Sequence, residues 1–149
     1  MKLTACLAFL LAFVAARVLG AALDVITVAY DGKYDVGATS LNTVACSDGP
    51  NGLESRNYTT FGSLPSFPNI GAAFAVAGWN SPECGSCWQL TYTTAQGSRS
   101  ITITAVDHAG ANSFNVGLKA MNTLTNNQAV ALGRVSVTAT QVPSSECGL

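Results

Sequence analysis

Apolar and polar side chains alternate at every second position along four stretches of the chain. These stretches are residues 23–30, 88–93, 100–106 and 135–142. Such alternation predicts β-strands that bury one face and expose the other. A short turn-forming loop at residues 95–98 separates the second and third stretches, so we predict that these two form a hairpin.

One segment has the spacing of an α-helix instead. Asn115 can act as its N-cap, and Asn126 followed by Asn127 can end it. The side chains at helical spacing between these ends are Leu118, Met121, Asn122 and Leu124. We expect Met121 and Leu124 to lie on the face that packs against the core.

The remaining segments complete a mainly-β prediction. Residues 45–70 are rich in Gly, Pro, Asn and Ser, which predicts a long loop. Helical and strand patterns do not alternate as they do in βαβ units. Several short strands with one helix therefore predict a closed β-barrel, which leaves no sheet edge exposed.

The N-terminus has the parts of an export signal. Lys2 precedes an almost unbroken apolar run over residues 3–16, and Arg17 and small residues from Gly20 follow it. The run is too short to cross a bilayer as a mature helix. We predict that residues 1–20 are removed, to within about two residues, and that residues 21–149 form one secreted domain. An uncleaved membrane anchor is the alternative.

Composition narrows the classes of function. Charged residues make up 10% of the chain, and its formal net charge is −1. A nucleic-acid binder built on a lysine and arginine patch is excluded, because phosphate affinity needs clustered cations. Low charge with abundant Val, Leu, Ile and Ala also excludes a disordered chain. The Ser, Thr, Asn and Gly content instead predicts a neutral surface rich in hydroxyl and amide groups.

The number and positions of the cysteines agree with the predicted export of the protein. Cys6 lies in the predicted signal, and the other four cysteines are Cys46, Cys84, Cys87 and Cys147. In an exported chain these four are expected to form two disulfides, for which three pairings exist. A bond between Cys84 and Cys87 is the least favoured of them. His108 is the only histidine, so we predict neither a zinc site nor any other metal or cofactor.

Asn57 begins an Asn-Tyr-Thr sequon over residues 57–59. Such a sequence can be glycosylated in an exported protein when it lies in an exposed loop. We therefore predict a glycosylation site at Asn57, on the sequon alone.

Six short motifs follow one another in a fixed order along the chain. They are ACSDG at 45–49, FPNIG at 67–71, AGWNSP at 77–82, CGSCW at 84–88, VDHAG at 106–110 and GRV at 133–135. Together with a cysteine near the C-terminus, they resemble the cerato-platanin family of small secreted fungal proteins, from about Val25 to Cys147. The resemblance implies a six-stranded double-psi β-barrel with one or two short helices. It also implies disulfides that join Cys46 to Cys84 and Cys87 to Cys147.

The resemblance implies a function as well. Cerato-platanins bind chitin-type N-acetylglucosamine oligomers in a shallow groove, and some loosen cellulose or chitin without cutting it. Carboxylate, amide, hydroxyl and aromatic groups suit such a ligand, and small residues let it approach the backbone. The candidate carbohydrate-binding residues are Tyr30, Asp31, Asn80, Asp107, His108, Ala109, Gly110 and Asn112. By resemblance, Asp107 lies at the floor of the groove, and Tyr30 and Asp31 lie near one wall.

Catalysis is the first alternative to simple binding. Related double-psi barrels include inverting endoglucanases, which need two carboxyl groups about 6.5–9.5 Å apart. Asp107 resembles the acid that these barrels share. The other acids considered are Asp31, Asp35, Asp48, Glu54 and Glu83, and none of them matches the missing position by motif. We therefore predict a non-catalytic protein, with a weak glycan-cleaving enzyme that uses Asp107 as the alternative.

The second alternative is an interface-active protein that self-assembles at surfaces and that plants perceive as an elicitor. Low charge is compatible with this function, but a closed, disulfide-linked barrel would have the same composition. The expected partners are chitin or N-acetylglucosamine oligomers, and the plant cell wall or a host receptor are further candidates. We expect an extracellular, wall-associated monomer that neither binds nucleic acid nor inserts into membranes.

The candidate binding residues also have purely structural interpretations. Asp107 can accept backbone hydrogen bonds at a strand end, as aspartate does in many turns. Tyr30 and Asp31 can be ordinary edge-strand residues. His108 can be a solvated loop residue.

Three other side chains are assigned structural roles from the sequence. Trp79 and Trp88 flank the cysteines and are expected to pack against the disulfides rather than face a sugar. Arg134 is expected to form an ion pair with an acid.

Overall fold

The computed structural model describes residues 25–149, so the predicted export signal lies outside the described residues. The strands are β1 Ile26–Tyr30, β2 Ile70–Ala73, β3 Cys87–Thr94, β4 Gly97–His108, β5 Ser113–Val116 and β6 Arg134–Val142. The α-helices are α1 Leu118–Thr125 and α2 Ala129–Leu132. Short 3₁₀ turns occupy Gly32–Asp35, Leu41–Thr43, Leu53–Arg56, Phe61–Ser63 and Ser144–Cys147.

The six strands close into a mixed barrel in the order β1–β5–β2–β4–β3–β6, and β6 pairs with β1. The pairs β1–β5 and β2–β4 are parallel, whereas the other pairs are antiparallel. Closure gives every strand a hydrogen-bonded neighbour on both sides. The predicted fold class, a six-stranded β-barrel with one or two short helices, is confirmed.

The alternating stretches of the sequence are strands in the structure. The predicted hairpin consists of β3 and β4, which pair from Cys87 opposite Thr104 to Thr94 opposite Gly97. β6 begins one residue before the predicted stretch and keeps the expected alternation of more and less buried positions. β1 covers Ile26–Tyr30 of the stretch at residues 23–30 and begins one residue after Val25, and residues 23 and 24 lie outside the described residues.

The end of β4 is buried on both faces, which alternation did not predict. The residues concerned are Ile103, Thr104, Ala105 and Val106. The backbone N–H of Cys46 donates to the carbonyl of Val106 at 3.1 Å, and the hydroxyls of Ser66 and Thr104 lie 2.6 Å apart. The long loop of residues 45–70 therefore covers the second face of β4, and Asp107 lies where this double burial ends.

The sequence pattern missed β2, β5 and α2. All four residues of β2 are buried, so the strand shows no alternation of apolar and polar positions. β5 is also only four residues long, and α2 is a single turn. Segments this short carry too little periodicity to be recognised from one sequence.

Helix α1 is present, but it begins later than predicted. Gly117 is its N-cap and Asn115 lies in β5, so the assignment of Asn115 as the N-cap is wrong. The carboxylate of Asp35 satisfies the first turn instead, since it accepts hydrogen bonds from the backbone N–H groups of Leu118 at 2.8 Å and Lys119 at 3.2 Å. This negative charge also suits the positive end of the helix dipole.

Glycine at position 117 allows this capping contact. A Cβ atom there would lie 2.6 Å from Oδ1 of Asp35, which is too close for any other side chain. The remaining helix predictions are confirmed, because Met121 and Leu124 are fully buried and the helix ends at Asn126 in the left-handed conformation.

Both disulfides have the pairing that the family resemblance implied. Cys46 is bonded to Cys84 and Cys87 to Cys147, with Cα–Cα distances of 5.2 and 5.8 Å. The first bond ties the long loop to the segment between β2 and β3, and the second ties the start of β3 to the C-terminal turn. Each is expected to add about 2–4 kcal/mol to the free energy of unfolding by restricting the unfolded chain.

Two kinds of feature are absent from residues 25–149. None of the helices there has the length and hydrophobicity needed to span a lipid bilayer. No group of three or more histidine, cysteine, aspartate or glutamate side chains in that range is arranged to hold a metal ion.

Candidate functional site

A shallow groove of about 410 Å³ opens beside β1, β2, the end of β4 and β5. The predicted binding residues that line it are Tyr30, Asp107, His108, Ala109 and Gly110. Sequence reasoning missed Lys33, Tyr34, Ser113 and Asn115, which line it as well. The groove thus brings together five of the eight candidate residues, from two separate parts of the sequence.

A larger depression, of about 620 Å³, lies between the tip of the β3–β4 hairpin and the end of α1. Tyr92, Arg99 and Asn126 are among its lining residues, and none of the predicted binding residues reaches it. We therefore take the smaller groove as the candidate site, because the predicted chemistry is concentrated there.

The carboxylate of Asp107 is the centre of a hydrogen-bond network. Its Oδ1 atom accepts from the backbone N–H groups of Ala45 at 3.0 Å and His108 at 2.9 Å, and its Oδ2 atom accepts from the Tyr34 hydroxyl at 3.1 Å and the Lys33 ammonium at 3.2 Å. The side chain is only 17% exposed. A carboxylate has about four acceptor positions, so these donors occupy its full capacity.

Tyr34 supports this network from inside the protein. Its side chain is buried and stacks on Phe61 with ring centroids 5.8 Å apart. Burial, together with the negative charge and hydrogen bond of Asp107, raises the pKa of the Tyr34 hydroxyl far above its usual range. The phenol therefore stays protonated and remains a donor to Asp107.

Lys33 presents its ammonium group at the rim of the groove. The Nζ atom lies 3.2 Å from Asp107 Oδ2 and 4.7 Å from the centre of the Tyr34 ring, a cation–π distance. The lysine side chain is 46% exposed. It can therefore keep its contact with Asp107 while offering further N–H donors to a ligand.

Asp107 combines the two predicted roles, that of a groove residue and that of an acceptor of backbone hydrogen bonds. It lines the groove, as the binding interpretation required, and it accepts backbone hydrogen bonds at a strand end, as the structural interpretation required. Because its acceptor positions are occupied, Asp107 fixes the groups around it, above all Lys33, and leaves no free acceptor toward the groove.

His108 and the two small residues after it form another part of the lining. His108 is exposed at the end of β4, rather than in a loop, and its Nδ1 atom is hydrogen-bonded to the carbonyl of Val76. A Cβ atom on Gly110 would meet only the Ser113 hydroxyl, at 3.6 Å. Packing therefore does not require glycine at position 110, and the missing side chain leaves space on the groove side.

Arg134 and Asn115 add polar groups that the sequence did not assign to the site. The Arg134 guanidinium lines the groove and donates to the Thr27 hydroxyl at 2.8 Å. In place of the predicted ion pair with an acid, Arg134 therefore has a hydrogen bond to an uncharged acceptor. The side-chain oxygen of Asn115 is buried, and it has no hydrogen-bond partner within residues 25–149. With Lys33, these residues make the groove richer in cationic donors than in acids.

Three candidate residues lie outside the groove lining. Asp31 caps the following 3₁₀ turn by accepting from the Lys33 backbone N–H at 2.9 Å, so it helps to position Lys33. Asn112 has φ = 52° in the β4–β5 loop, and its carbonyl accepts from the Thr27 backbone N–H. Asn80 lies in the loop between β2 and β3, where its side chain accepts from the Asn51 backbone N–H at 2.9 Å.

The two tryptophans have opposite environments. Trp88 is buried against the rings of Phe74 and Phe114, at centroid distances of 5.5 and 5.6 Å. Trp79 is 64% exposed, so the prediction that it packs against a disulfide is wrong. Its indole Nε1 donates to Asp48 Oδ1 at 2.7 Å, and this bond holds the ring at the surface.

The sequence model described as cerato-platanin matches residues 26–149. The chain belongs to the cerato-platanin family. A relative named cerato-platanin, from Ceratocystis fimbriata f. sp. platani, is 39% identical over 82% of this chain and 86% of its own length.

Other relatives of the chain carry names that refer to immune recognition. The allergen Asp f 15 homolog of Arthroderma benhamiae is 49% identical over 83% of this chain, and the match spans 58% of that relative's length. The heat-stable 19 kDa antigen of Coccidioides immitis is 45% identical over 80% of this chain and 79% of its own length.

Solved structures of the family share the fold. The crystal structure of cerato-platanin 2 from M. perniciosa is 50% identical, with a TM-score of 0.79 over 84% of this chain and 99% of its own. The solution structure of the fungal elicitor cerato-platanin is 40% identical, with a TM-score of 0.70 over 82% of this chain and 96% of its own.

Asn57 lies in a position compatible with the predicted glycosylation. It is exposed, and it ends a 3₁₀ turn in the left-handed conformation with φ = 68°. Attachment of a glycan to Asn57 stays a prediction from the sequon.

Proposed function

We propose that this protein is a secreted, non-catalytic carbohydrate-binding protein whose groove holds chitin-type N-acetylglucosamine oligomers. The observation that carries the proposal is the Lys33 ammonium, fixed by Asp107 and Tyr34 yet 46% exposed at the rim of the groove. Acetamido carbonyls and hydroxyl oxygens are neutral acceptors, and charged donors bind such acceptors more strongly than neutral donors do.

The rest of the lining supports the same ligand. Arg134 adds nitrogen donors, Ser113 adds a hydroxyl, and Tyr30 adds a partly buried aromatic side chain. The Nδ1–H of His108 donates to the Val76 carbonyl, so this residue presents its other ring nitrogen to the groove. The groove is open and shallow, which suits an extended oligomer rather than a small enclosed molecule. Its donors favour a ligand with amide carbonyls over a plain glucan.

The acids of the groove argue against hydrolysis. Among the groove-lining residues of the described chain, Asp107 is the only carboxylic acid. Inverting glycosidases need a second carboxyl group about 6.5–9.5 Å away to activate water. The Asp107 carboxylate is moreover engaged by Lys33, Tyr34 and two backbone N–H groups, so it is not free to protonate a leaving oxygen.

Export to the cell exterior and association with the wall are part of this proposal. Two disulfides agree with an oxidising compartment. One relative is described as a fungal elicitor, and we extend elicitor activity to this chain only as a consequence to be tested on plant leaves. The plant cell wall or a host receptor would then be the partner.

Gly110 allows a sharp test of the binding site. Replacing it with Ala adds a methyl group beside the groove without a protein clash, because the nearest atom to a Cβ there is Ser113 Oγ at 3.6 Å, and Leu adds more bulk at the same position. Ala95→Leu is the control for added bulk at an exposed position, since Ala95 lies in the turn between β3 and β4 and does not line the groove. Calorimetric titration with N-acetylglucosamine oligomers should show weaker binding for G110A and a larger loss for G110L, with Ala95→Leu unchanged.

Equal affinity of the Gly110 variants and the wild type would place the ligand elsewhere. No binding of any oligomer by the wild type would reject the proposed function. Chromatography of the same oligomers after long incubation tests catalysis, and products that disappear with Asp107→Asn would show an enzyme instead.

A further inference from the structure

Trp79 is held at the surface by contacts along one edge of its ring. Its Nε1 atom donates to Asp48 Oδ1 at 2.7 Å. A Cβ atom on Gly49 would lie 3.2 Å from the neighbouring Cζ2 atom, so the backbone of Gly49 lies directly against the same edge. With 64% of the residue exposed, the rest of the indole faces solvent.

The loop that carries Trp79 is itself fixed. Ser81 is buried, with 5% of the residue exposed. Its hydroxyl oxygen accepts hydrogen bonds from the backbone N–H groups of Ala77 at 3.3 Å and Glu83 at 3.2 Å. The disulfide from Cys46 to Cys84 joins this loop to the segment that contains Asp48. The indole orientation is therefore set before any ligand arrives, which reduces the entropy lost on binding.

A short piece of chain links Trp79 to the groove. The groove residue His108 is hydrogen-bonded through Nδ1 to the carbonyl of Val76. Trp79 is three positions after Val76 in the chain, and three extended residues span at most about 11 Å. An oligomer that leaves the groove past His108 therefore reaches the indole within a few sugar units.

We infer that Trp79, held by Asp48 and Gly49, is a stacking site for a pyranose ring of the oligomer that the groove binds. The inference rests on the proposed function and extends it. A pyranose has an apolar C–H face and a polar rim, and an exposed indole beside a carboxylate and amides matches both. Asn80, which lies outside the groove, belongs to this Trp79 surface, formed by Asp48, Gly49, Trp79 and Asn80.

The same features disfavour other occupants. A protein or lipid partner requires a contiguous apolar patch, whereas the Trp79 indole is a single apolar group beside Asp48, Asn51 and Asn80. The negative charge of Asp48 also opposes an anionic membrane surface.

Oligomer length separates the Trp79 surface from the groove. We propose titrating N-acetylglucosamine oligomers from the dimer to the hexamer into wild type and Trp79→Ala. Val130→Ala is the control for loss of an exposed apolar side chain, because Val130 is 72% exposed on α2. Trp79→Ala should weaken hexamer binding about ten-fold and leave dimer binding unchanged. Val130→Ala should change neither, and Trp79→Phe should retain part of the hexamer affinity.

Gly49→Ala tests the positioning of the ring rather than its presence. The new methyl group would lie 2.8 Å from Asn80 Oδ1 and 3.2 Å from Trp79 Cζ2. Gly49 also has φ = 86°, where a side chain strains the backbone, so the substitution should shift the loop, Asn80 and the indole together and reduce hexamer affinity selectively. Circular dichroism spectra confirm that the variant is folded. A Trp79→Ala protein that binds every length like wild type overturns the stacking site while the groove stands. Failure of wild type to bind any oligomer overturns both proposals.

Discussion

The groove and the Trp79 surface each contain an aspartate whose carboxylate accepts hydrogen bonds from distant parts of the chain. Asp107 is largely buried, and it joins the 3₁₀ turn at Lys33 and Tyr34 to the long loop at Ala45. Asp48 is exposed, and it joins only the neighbouring Ser47 hydroxyl and the indole of Trp79. One acid thus organises backbone segments, whereas the other orients a single side chain.

The difference in burial determines what each acid contributes. A buried carboxylate that loses its partners leaves unpaired donors in a region of low dielectric constant, which is costly. An exposed carboxylate is replaced by water at little cost. We therefore expect the groove network to contribute to stability and the Trp79 surface to contribute almost solely to binding.

The same substitution at the two acids should give the largest contrast. Asparagine keeps one oxygen but turns an N–H donor toward other donors, so Asp107→Asn should lower the free energy of unfolding by about 2 kcal/mol. Asp48→Asn should leave the free energy of unfolding almost unchanged, because Asp48 is exposed. Urea denaturation of both variants at one pH measures the difference, and similar small losses would show that the groove network is not stabilising.

High pH should weaken the groove without affecting the Trp79 surface. The pKa of Tyr34 is raised in the folded protein by burial and by Asp107, from an ordinary value of 10.0. Below pH 10 the Tyr34 hydroxyl is protonated in both states, so its contribution to the free energy of unfolding is fully present. Above pH 10 that contribution falls, because the unfolded chain loses the proton first. The free energy of unfolding should then fall on the order of 1 kcal/mol per pH unit above pH 10.

Tyr34→Phe is the control for this alkaline loss. The variant should be less stable at neutral pH by about 1 kcal/mol, because it lacks the hydrogen bond to Asp107. Its stability should no longer show the Tyr34 contribution to the decline above pH 10. An identical decline in Tyr34→Phe would assign the effect to other groups.

Sequence reasoning was most successful where one face of a strand is buried and the other is exposed. The β3–β4 hairpin and β6 follow from alternation, because their outer positions face solvent. β2 could not be found in this way, since loops and neighbouring strands bury all four of its residues. The pairing of Cys46 with Cys84 came from family resemblance, because spacing alone left three pairings open.

Part of the candidate site was predictable, because some of its residues lie in short sequence motifs. Residue chemistry and family motifs identified Tyr30, Asp107 and Gly110. Lys33 and Tyr34 follow Tyr30 closely in the sequence, so their proximity to the predicted groove wall could have indicated both residues. The capping of α1 by Asp35 joins residues 83 positions apart, and the bond from Trp79 to Asp48 joins residues 31 apart. Contacts between such distant positions leave no periodic signal in one sequence.

Low pH should loosen the Trp79 surface and leave the fold intact, which is the smallest of the expected effects. The hydrogen bond from the Trp79 indole, with a smaller contribution from Ser47, lowers the pKa of Asp48 below its ordinary value of 3.8. A lowered pKa means that the bond favours the ionised acid, so the bond is fully present above pH 3.8 and weakens as the pH falls through the lower folded value.

Two-dimensional NMR of the two indole N–H groups measures this loosening directly. The Trp79 signal should shift with a midpoint below pH 3.8, whereas the signal of Trp88, whose Nε1 donates to Ser86 Oγ at 2.9 Å, should not follow it. Asp48→Asn should abolish the Trp79 titration. If the shift persists in that variant, another acid controls the ring, and the assignment of Asp48 as the group that orients the stacking site fails.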